Sequence, residues 1–291
     1  MLGSALSASS APIRRRRSSA YRAGPSLEDA LRASRRLTAH GLASTIGYAA
    51  APHEDARTVA SAHMAALDRL AAEEADCYVS VKLSGLDFDD SLFAEIAASA
   101  SRSRRRLHLD ALAPETADAT WRLLAQTGGG GSLGTTLPGR WRRSAADAAR
   151  AAELGLAVRV VKGQWPDANG DGLDPRRGFL EVVDRLRGHP AVVAVATHDV
   201  PLLAESLRRL VASGARGEVE LFYGLPFREP ALVARRAGVP IRMYVPYGQT
   251  GAPYTTAGLA TTPAAAWWLV QDLLYGEDKT WRSIRRTPLR I

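Results

Sequence analysis

Cys77 is the single cysteine of this 291-residue chain, so no disulfide can form within it. That fits a reducing compartment, and the sequence reads as cytoplasmic. There are only 6 histidines and no Cys/His cluster, which argues against structural zinc. No apolar run approaches the ~20 residues that a bilayer span requires. No GxGxxG follows the first predicted strand, which weakens an open doubly wound sheet. The glycine run from Gly128 to Gly131 precedes a strand instead of opening a helix. It also lacks the Gly-Lys-Ser/Thr ending, so it reads as a turn and not a phosphate loop. Asp167, Asn169, Asp171 and Asp174 are spaced somewhat like a calcium loop, but no Glu closes the set at its twelfth position.

What is present is an ordinary globular composition, 46% hydrophobic and 23% charged. A chain of this length buries a large core without covalent or metal staples. The formal net charge is +8, which raises nucleic acid as a partner. The arginines, however, cluster at Arg14–Arg17, Arg102–Arg106 and Arg282–Arg286, far apart in sequence and not interleaved with aromatics. Solvated basic surface or affinity for small anions explains them with less, and no nucleic acid partner is expected.

Residues 1–25 are rich in Ser, Ala and Arg and lack periodicity, so they read as a flexible basic arm. An organelle transit peptide is the alternative. From residue 26 to 280, helix-period segments alternate with short β-branched runs, which is read as one catalytic domain. Ser26 and Asp55 are expected N-caps. Strands are predicted near 42–48, 77–83, 106–110, 131–136, 157–161, 191–196, 218–223 and 240–245, and a last helix over 263–275. Residues 281–291 read as a solvated basic tail. Eight βα units in this length predict an α/β fold of the (β/α)8 TIM-barrel type.

Such barrels carry their chemistry on the C-terminal ends of the strands. Those positions hold Lys82 and Ser84, Asp110, Arg159, Lys162 and Trp165, Thr197 to Asp199, Tyr223, and Tyr244 with Tyr247. Each has a plainer reading: a surface amine for Lys82, a helix cap for Asp110, a core or capping histidine for His198. Their joint placement on one rim argues for an enzyme. Cations outnumber carboxylates there, with no carboxylate pair and no metal-ligand set, so metal-assisted and glycoside hydrolysis are disfavoured. A cationic rim suits a ligand with phosphates, or a ring that gains negative charge, as a reduced flavin does.

The segments VSVKLSGL (79–86), LHLD (107–110), VRVVKGQW (158–165), VATHD (195–199) and RMYVPYG (242–248) occur in this order. Together they resemble the proline dehydrogenase family, flavin-dependent (β/α)8 enzymes that oxidise proline to a cyclic imine. The resemblance covers roughly residues 40–275. It implies FAD as cofactor, a small amine or amino-acid-like substrate, and a quinone or oxygen as electron acceptor, with peripheral membrane contact through a quinone. It implies catalytic roles for Lys82, Asp110, Arg159, Tyr247 and Tyr254, with Arg159 donating to flavin N5. It implies that Lys162, Gly163, Trp165, Thr197 and His198 hold the rest of the cofactor.

The chain departs from that pattern where the family grips the substrate carboxylate. The family's Tyr-x-x-Arg-Arg corresponds here to Tyr254-Thr255-Thr256-Ala257-Gly258, which keeps the tyrosine and lacks both arginines. A bidentate arginine–carboxylate pair sets geometry as well as affinity, and small neutral residues do not replace it. The family's Leu-Gln-Ala-Tyr-like turn after strand 4 is Leu137-Pro138-Gly139-Arg140 here. After strand 1, residues 49–52 read Ala-Ala-Ala-Pro, with no acidic side chain where the family has one. The expectation is a flavoenzyme that oxidises a C–N bond in something other than ordinary proline, with any carboxylate met by a cation such as Arg140 or Arg228. The alternatives are authentic proline dehydrogenase activity and a barrel that serves as a non-catalytic binding subunit.

Overall fold

The computed structural model describes residues 21–111, 113–168, 173–249 and 279–287. Tyr254, Ala257, Gly258, Asn169, Asp171, the helix predicted over 263–275 and residues 1–20 of the basic arm lie outside them.

Helix α1 (Leu27–Thr38) starts at Ser26, whose side chain accepts from the Asp29 N–H while the Asp29 carboxylate accepts from Ser26. This reciprocal capping box satisfies N–H groups that a helix start otherwise leaves unpaired. β1 (Ala43–Ala49) follows, then α2 (Ala56–Ala71), capped by Asp55 as expected. The alternation continues through β2 (Cys77–Val81), α3 (Asp90–Arg102), β3 (Leu107–Leu109), α4 (Ala117–Gln126), β4 (Leu133–Pro138) and α5 (Ser144–Glu153). Next come β5 (Ala157–Val161), α6 (Pro175–Arg185), β6 (Val193–Val195), α7 (Val200–Ala212), β7 (Gly217–Phe222), α8 (Arg228–Arg236) and β8 (Ile241–Gly248).

Each strand pairs in parallel with the next, and β8 pairs with β1, closing an eight-stranded barrel. All eight predicted strands are present, displaced at their ends by a few residues. The Gly128–Gly131 run is a turn before β4, where Gly129 and Gly130 have positive φ. A Cβ on Gly129 would meet the Leu154 carbonyl at 2.5 Å, so the turn depends on glycine.

Strand side chains alternate between two faces, and here the faces differ in chemistry. Val79, Val81, Leu107, Leu109, Val158, Val160, Val193, Val195, Val219, Leu221, Met243 and Val245 are all buried in the hydrophobic core. They are the outward set, packed under the helices. The intervening residues face the barrel axis, and they include Tyr78, Ser80, His108, Arg159, Glu218, Glu220 and Arg242, all buried. Barrel interiors are ordinarily filled by bulky aliphatics. This one is filled by paired charges. At its lower end, Arg242 holds Glu218 through Nε at 3.1 Å and Asp76 through Nη2 at 3.0 Å.

Two segments differ from the sequence-based expectation. Residues 21–24 of the arm are tied to the end of β8: Ala23 N–H donates to Pro246 O at 2.9 Å, and Gly248 N–H to Gly24 O at 3.1 Å. β7 stops pairing with β8 at Tyr244, so the open edge beyond it is free to take this strap. Helix α9 (Lys279–Arg286) is not a solvated tail over its whole length. Trp281 and Ile284 are buried, and the Arg36 guanidinium lies 3.9 Å from the Trp281 ring centre. The second arginine cluster is also partly structural. Arg105 donates to the carbonyls of Leu70, Glu73 and Ala75, and Arg106 lies over the Tyr78 ring at 4.8 Å.

Candidate functional site

At the upper end of the barrel, three side chains from three strands meet. Asp110 Oδ2 accepts from Tyr244 Oη at 2.9 Å and from Lys82 Nζ at 3.2 Å. Lys82 Nζ and Tyr244 Oη are themselves 3.1 Å apart. Asp110 Oδ1 accepts from Ser80 Oγ at 2.6 Å and from Arg159 Nη1 at 2.5 Å. All four acceptor positions of this carboxylate are therefore engaged. Burial pushes the Asp110 carboxyl up, but Lys82, Arg159 and the Ser80 hydroxyl outweigh it and hold the group well below the usual range. Burial pushes the Lys82 ammonium down, and Tyr244 with Asp110 reverses this, so it stays charged. Burial and the neighbouring Asp110 push the Tyr244 phenol up to about 12, so it stays protonated. The Lys82 side chain is 43% exposed and marks the solvent side of this trio.

Tyr244 needs room on β1. A Cβ on Gly47 would lie 2.4 Å from the Tyr244 hydroxyl, so only glycine fits there. Phe222 stacks on the Tyr244 ring, with centroids 5.4 Å apart and planes at 19°.

Tyr247, expected at the substrate, is not at this mouth. It lies three residues after Tyr244, an odd step along a strand, and so faces the opposite side. There it packs against Tyr48 at 5.4 Å, is 3% exposed, and its hydroxyl has no hydrogen-bond partner among the described residues. Tyr244, which the same parity places inward, occupies the position expected of Tyr247. The sequence had already set Tyr244 on the rim beside Tyr247.

Arg159, expected beside flavin N5, is held from several sides by protein groups. Its guanidinium binds Glu220 with two bonds, Nε to Oε2 at 2.6 Å and Nη2 to Oε1 at 2.9 Å. Nη1 is spent on Asp110 and Ser80, and Nη2 also lies 3.5 Å from Tyr78 Oη. The residue is 4% exposed and sits with its charge 5.1 Å from the Tyr244 ring centre. It underlies the mouth as a buried charge. Glu220 escaped the sequence reading. Its signal was the period-two pair Glu218 and Glu220, charged residues alternating with buried Val219 and Leu221.

The cofactor-side candidates lie around β5 and β6. Lys162 Nζ donates to Asp199 Oδ2 at 2.7 Å, and Arg176 Nη1 to the same oxygen at 2.5 Å. Two cationic heads, 38% and 52% exposed, thus share one carboxylate. Gly163 has φ +94°, and a Cβ there would come within 2.9 Å of Pro138 Cβ, so the backbone runs hard against the β4 turn. Trp165 is 46% exposed, and its carbonyl accepts from Trp141 Nε1 at 3.1 Å. Thr197 is buried and accepts from the Asp199 N–H at 3.1 Å. This donor set fits the diphosphate side of a flavin dinucleotide: solvent-facing cations in excess over carboxylate, beside a half-buried glycine backbone.

His198 has a structural attachment. Its Nε2 accepts from the Phe222 N–H at 2.9 Å, and its Nδ1 lies 2.9 Å from Pro226 O, which fixes the Nδ1–H tautomer. Asp199, not His198, caps α7. Among the other candidates, Arg228 lies 3.5 Å from Glu229 and is 65% exposed, while Arg140 Nη1 lies 3.5 Å from Gln164 O. Glu54, just beyond the Ala-Ala-Ala-Pro stretch, is held by the Tyr48 hydroxyl and the Ala51 N–H. Asp167 accepts from the Arg142 N–H, and Asp174 caps α6.

Burial holds His198 down to about 4 and His63 to about 3, and lowers His108 and His189 in the same direction. A base depressed on folding binds its proton more readily in the unfolded chain. Its contribution is complete above the ordinary histidine value and is lost as pH falls from about 6.5 toward about 4. Each such group adds a slope of about 1 kcal/mol per pH unit in that window. The urea midpoint is expected to fall between pH 7 and pH 5; a flat midpoint over that range contradicts the neutral, buried placement of these rings.

A closed parallel barrel with ionisable groups gathered at the strand ends, beside a cationic rim, is the architecture of a (β/α)8 enzyme. No family model matches the sequence. The chain is similar to proline dehydrogenase 1 of Bacillus subtilis (strain 168), 27% identical over 271 residues that cover 87% of this chain and 89% of that one. It is similar to proline dehydrogenase of Deinococcus radiodurans, 28% identical over 218 residues, covering 68% and 70%. Among solved structures, proline utilization A of Bdellovibrio bacteriovorus superposes with a TM-score of 0.69 at 16% identity, over 97% of this chain and 35% of that one. The corresponding protein of Corynebacterium freiburgense gives 0.62 at 16%, over 96% and 33%. The chain thus spans about a third of those longer proteins, whose likeness shows the shared barrel. Over most of its length the chain is thus similar to proteins named proline dehydrogenase.

Proposed function

We propose that the protein is a flavin-dependent dehydrogenase of the proline dehydrogenase type, acting on a small amine. The observation that carries this reading is the Lys82–Asp110–Tyr244 trio at the mouth, with Lys162 and Arg176 to one side of it. Its curated relatives are named proline dehydrogenases. FAD, held by Lys162, Arg176 and the Gly163 backbone, would supply the acceptor for a hydride from the carbon next to the substrate nitrogen.

The rest of the chemistry falls to the protein. Lys82 and Tyr244 present N–H and O–H donors to the space above Asp110, and Phe222 braces the Tyr244 ring. Lys82 with its raised value, Asp110 with all its acceptor positions filled and Tyr244 at about 12 are none of them free bases at neutral pH. The substrate amine therefore arrives unprotonated, having lost its proton to water. Lys82, the exposed member of the trio, is the donor placed to meet negative charge that develops there.

The finer proposal is that ordinary proline is a poor substrate. Residues Gln249 to Gln271 contain no charged side chain, so the segment after β8 brings no cation to a carboxylate. Leaving a substrate carboxylate unpaired costs several kcal/mol, on the order of an unpaired buried charge. The test is anaerobic mixing of the purified protein with L-proline and with a carboxylate-free cyclic amine, following the flavin bands. Faster bleaching by the cyclic amine is expected. Bleaching by L-proline at a rate matching the Bacillus subtilis relative overturns the substrate claim.

A further inference from the structure

We propose that Glu220 is a specificity-determining residue: by cancelling Arg159 it leaves the mouth electrically neutral, so that the site favours an uncharged or cationic amine over an amino acid with a free carboxylate. This rests on the amine-binding reading of the same mouth.

The charges can be followed bond by bond. Among the described residues, Arg159 and Lys82 are the cations of the upper barrel interior, and Glu220 and Asp110 are the carboxylates bonded to them. Two of each sign leave no net charge. Glu220 has a side chain 2% exposed, and it accepts two bonds from Arg159 and one from Thr45 Oγ1 at 2.8 Å. It is therefore fixed in place and cannot turn away to release the arginine. The layer beneath balances itself, with Arg242 between Glu218 and Asp76, and Arg106 3.7 Å from Glu218. Nothing below supplies the missing positive charge.

Nor does the rim. Arg22, the cation strapped to the end of β8, spends Nη1 on the carbonyls of Gly248 and Gln249. Lys162 and Arg176 share Asp199 on the β5–β6 side, where their excess positive charge is assigned to the cofactor phosphates. A neutral carboxamide in place of Glu220 would free one unit of positive charge beneath the substrate. A unit charge roughly 10 Å away, at an effective dielectric of ~20, changes anion affinity by about tenfold.

The experiment uses the full chain as purified, with pyrrolidine and L-proline as probes and binding read by thermal shift. Flavin content is recorded separately from the visible spectrum. Wild-type protein is expected to bind pyrrolidine more tightly than L-proline. Glu220→Gln is expected to shift that ratio about tenfold toward L-proline. Glu220→Asp keeps the charge while breaking the two-bond geometry, and is expected to keep the wild-type ratio. A Glu220→Gln ratio equal to wild type, or an equal shift in Glu220→Asp, overturns the proposal. If Glu220→Gln does not fold, the wild-type comparison decides: L-proline bound as tightly as pyrrolidine, or neither probe bound, overturns it. A colourless protein that nevertheless shows the expected ratios refutes the flavin reading and leaves this one standing.

Discussion

Arg159→Met is expected to cost about 3–5 kcal/mol of stability, because it strands two carboxylates inside the barrel. Glu220 is 2% exposed and would keep only Thr45 and a distant Tyr78 hydroxyl as donors. Asp110 would lose its 2.5 Å partner and keep Ser80, Lys82 and Tyr244. Methionine fills much of the arginine's volume and supplies none of its donors, so the effect reads as charge and not as a cavity. Urea unfolding measures it directly. Flavin content is expected to fall with it, since the mouth rests on this buried charge. A midpoint and flavin content both equal to wild type would show that the Arg159–Glu220 pair does not hold the barrel interior.

Asp110→Asn is expected to lower turnover by about 100-fold or more while the protein still folds. The amide keeps the shape but carries two donors of its own, so it cannot accept from Ser80, Arg159, Lys82 and Tyr244 together. Lys82 then loses its anchor, and a displacement of the order of 1 Å at a reacting group is worth about 10²-fold. The quantity to measure is kcat/KM for the amine that bleaches the flavin fastest, alongside a thermal midpoint. An unchanged kcat/KM would remove Asp110 from the centre of the site.

Much of this was legible in the sequence, and the reasons are local. The strands announced themselves because each is a short run such as Val158-Arg159-Val160, bounded by Gly or Pro and flanked by helix-period segments. Ser26 and Asp55 were legible as caps because capping depends on a few adjacent residues. Lys82, Asp110 and Arg159 were legible because strand ends point to one rim in a barrel. Tyr247 was misplaced because nearness to the strand end was weighed above parity. A one-residue error in phase turns a side chain from the axis to the helices. Glu220 was missed because its partner lies 61 residues away, and no local pattern names that partner. The strap of residues 21–24 on β8 was invisible for the same reason: a backbone bond across the whole chain leaves no mark on composition. The burial of Trp281 and Ile284 could have been suspected, since their spacing of three places them on one helical face.

Two features bear on the charge at the mouth. The segment after β8 has Ala257 and Gly258 where the family has arginines, and the arginine that remains beneath the mouth is matched by Glu220. Lys162, Arg176 and Gly163 meanwhile keep the features that suit a dinucleotide phosphate.

The visible absorption spectrum of the purified full-length protein, before and after addition of FAD, tests this account most directly. Flavin bands that saturate as FAD is added, and that shift from those of free FAD, are the predicted result. A colourless protein whose addition leaves the spectrum of FAD unchanged would contradict it.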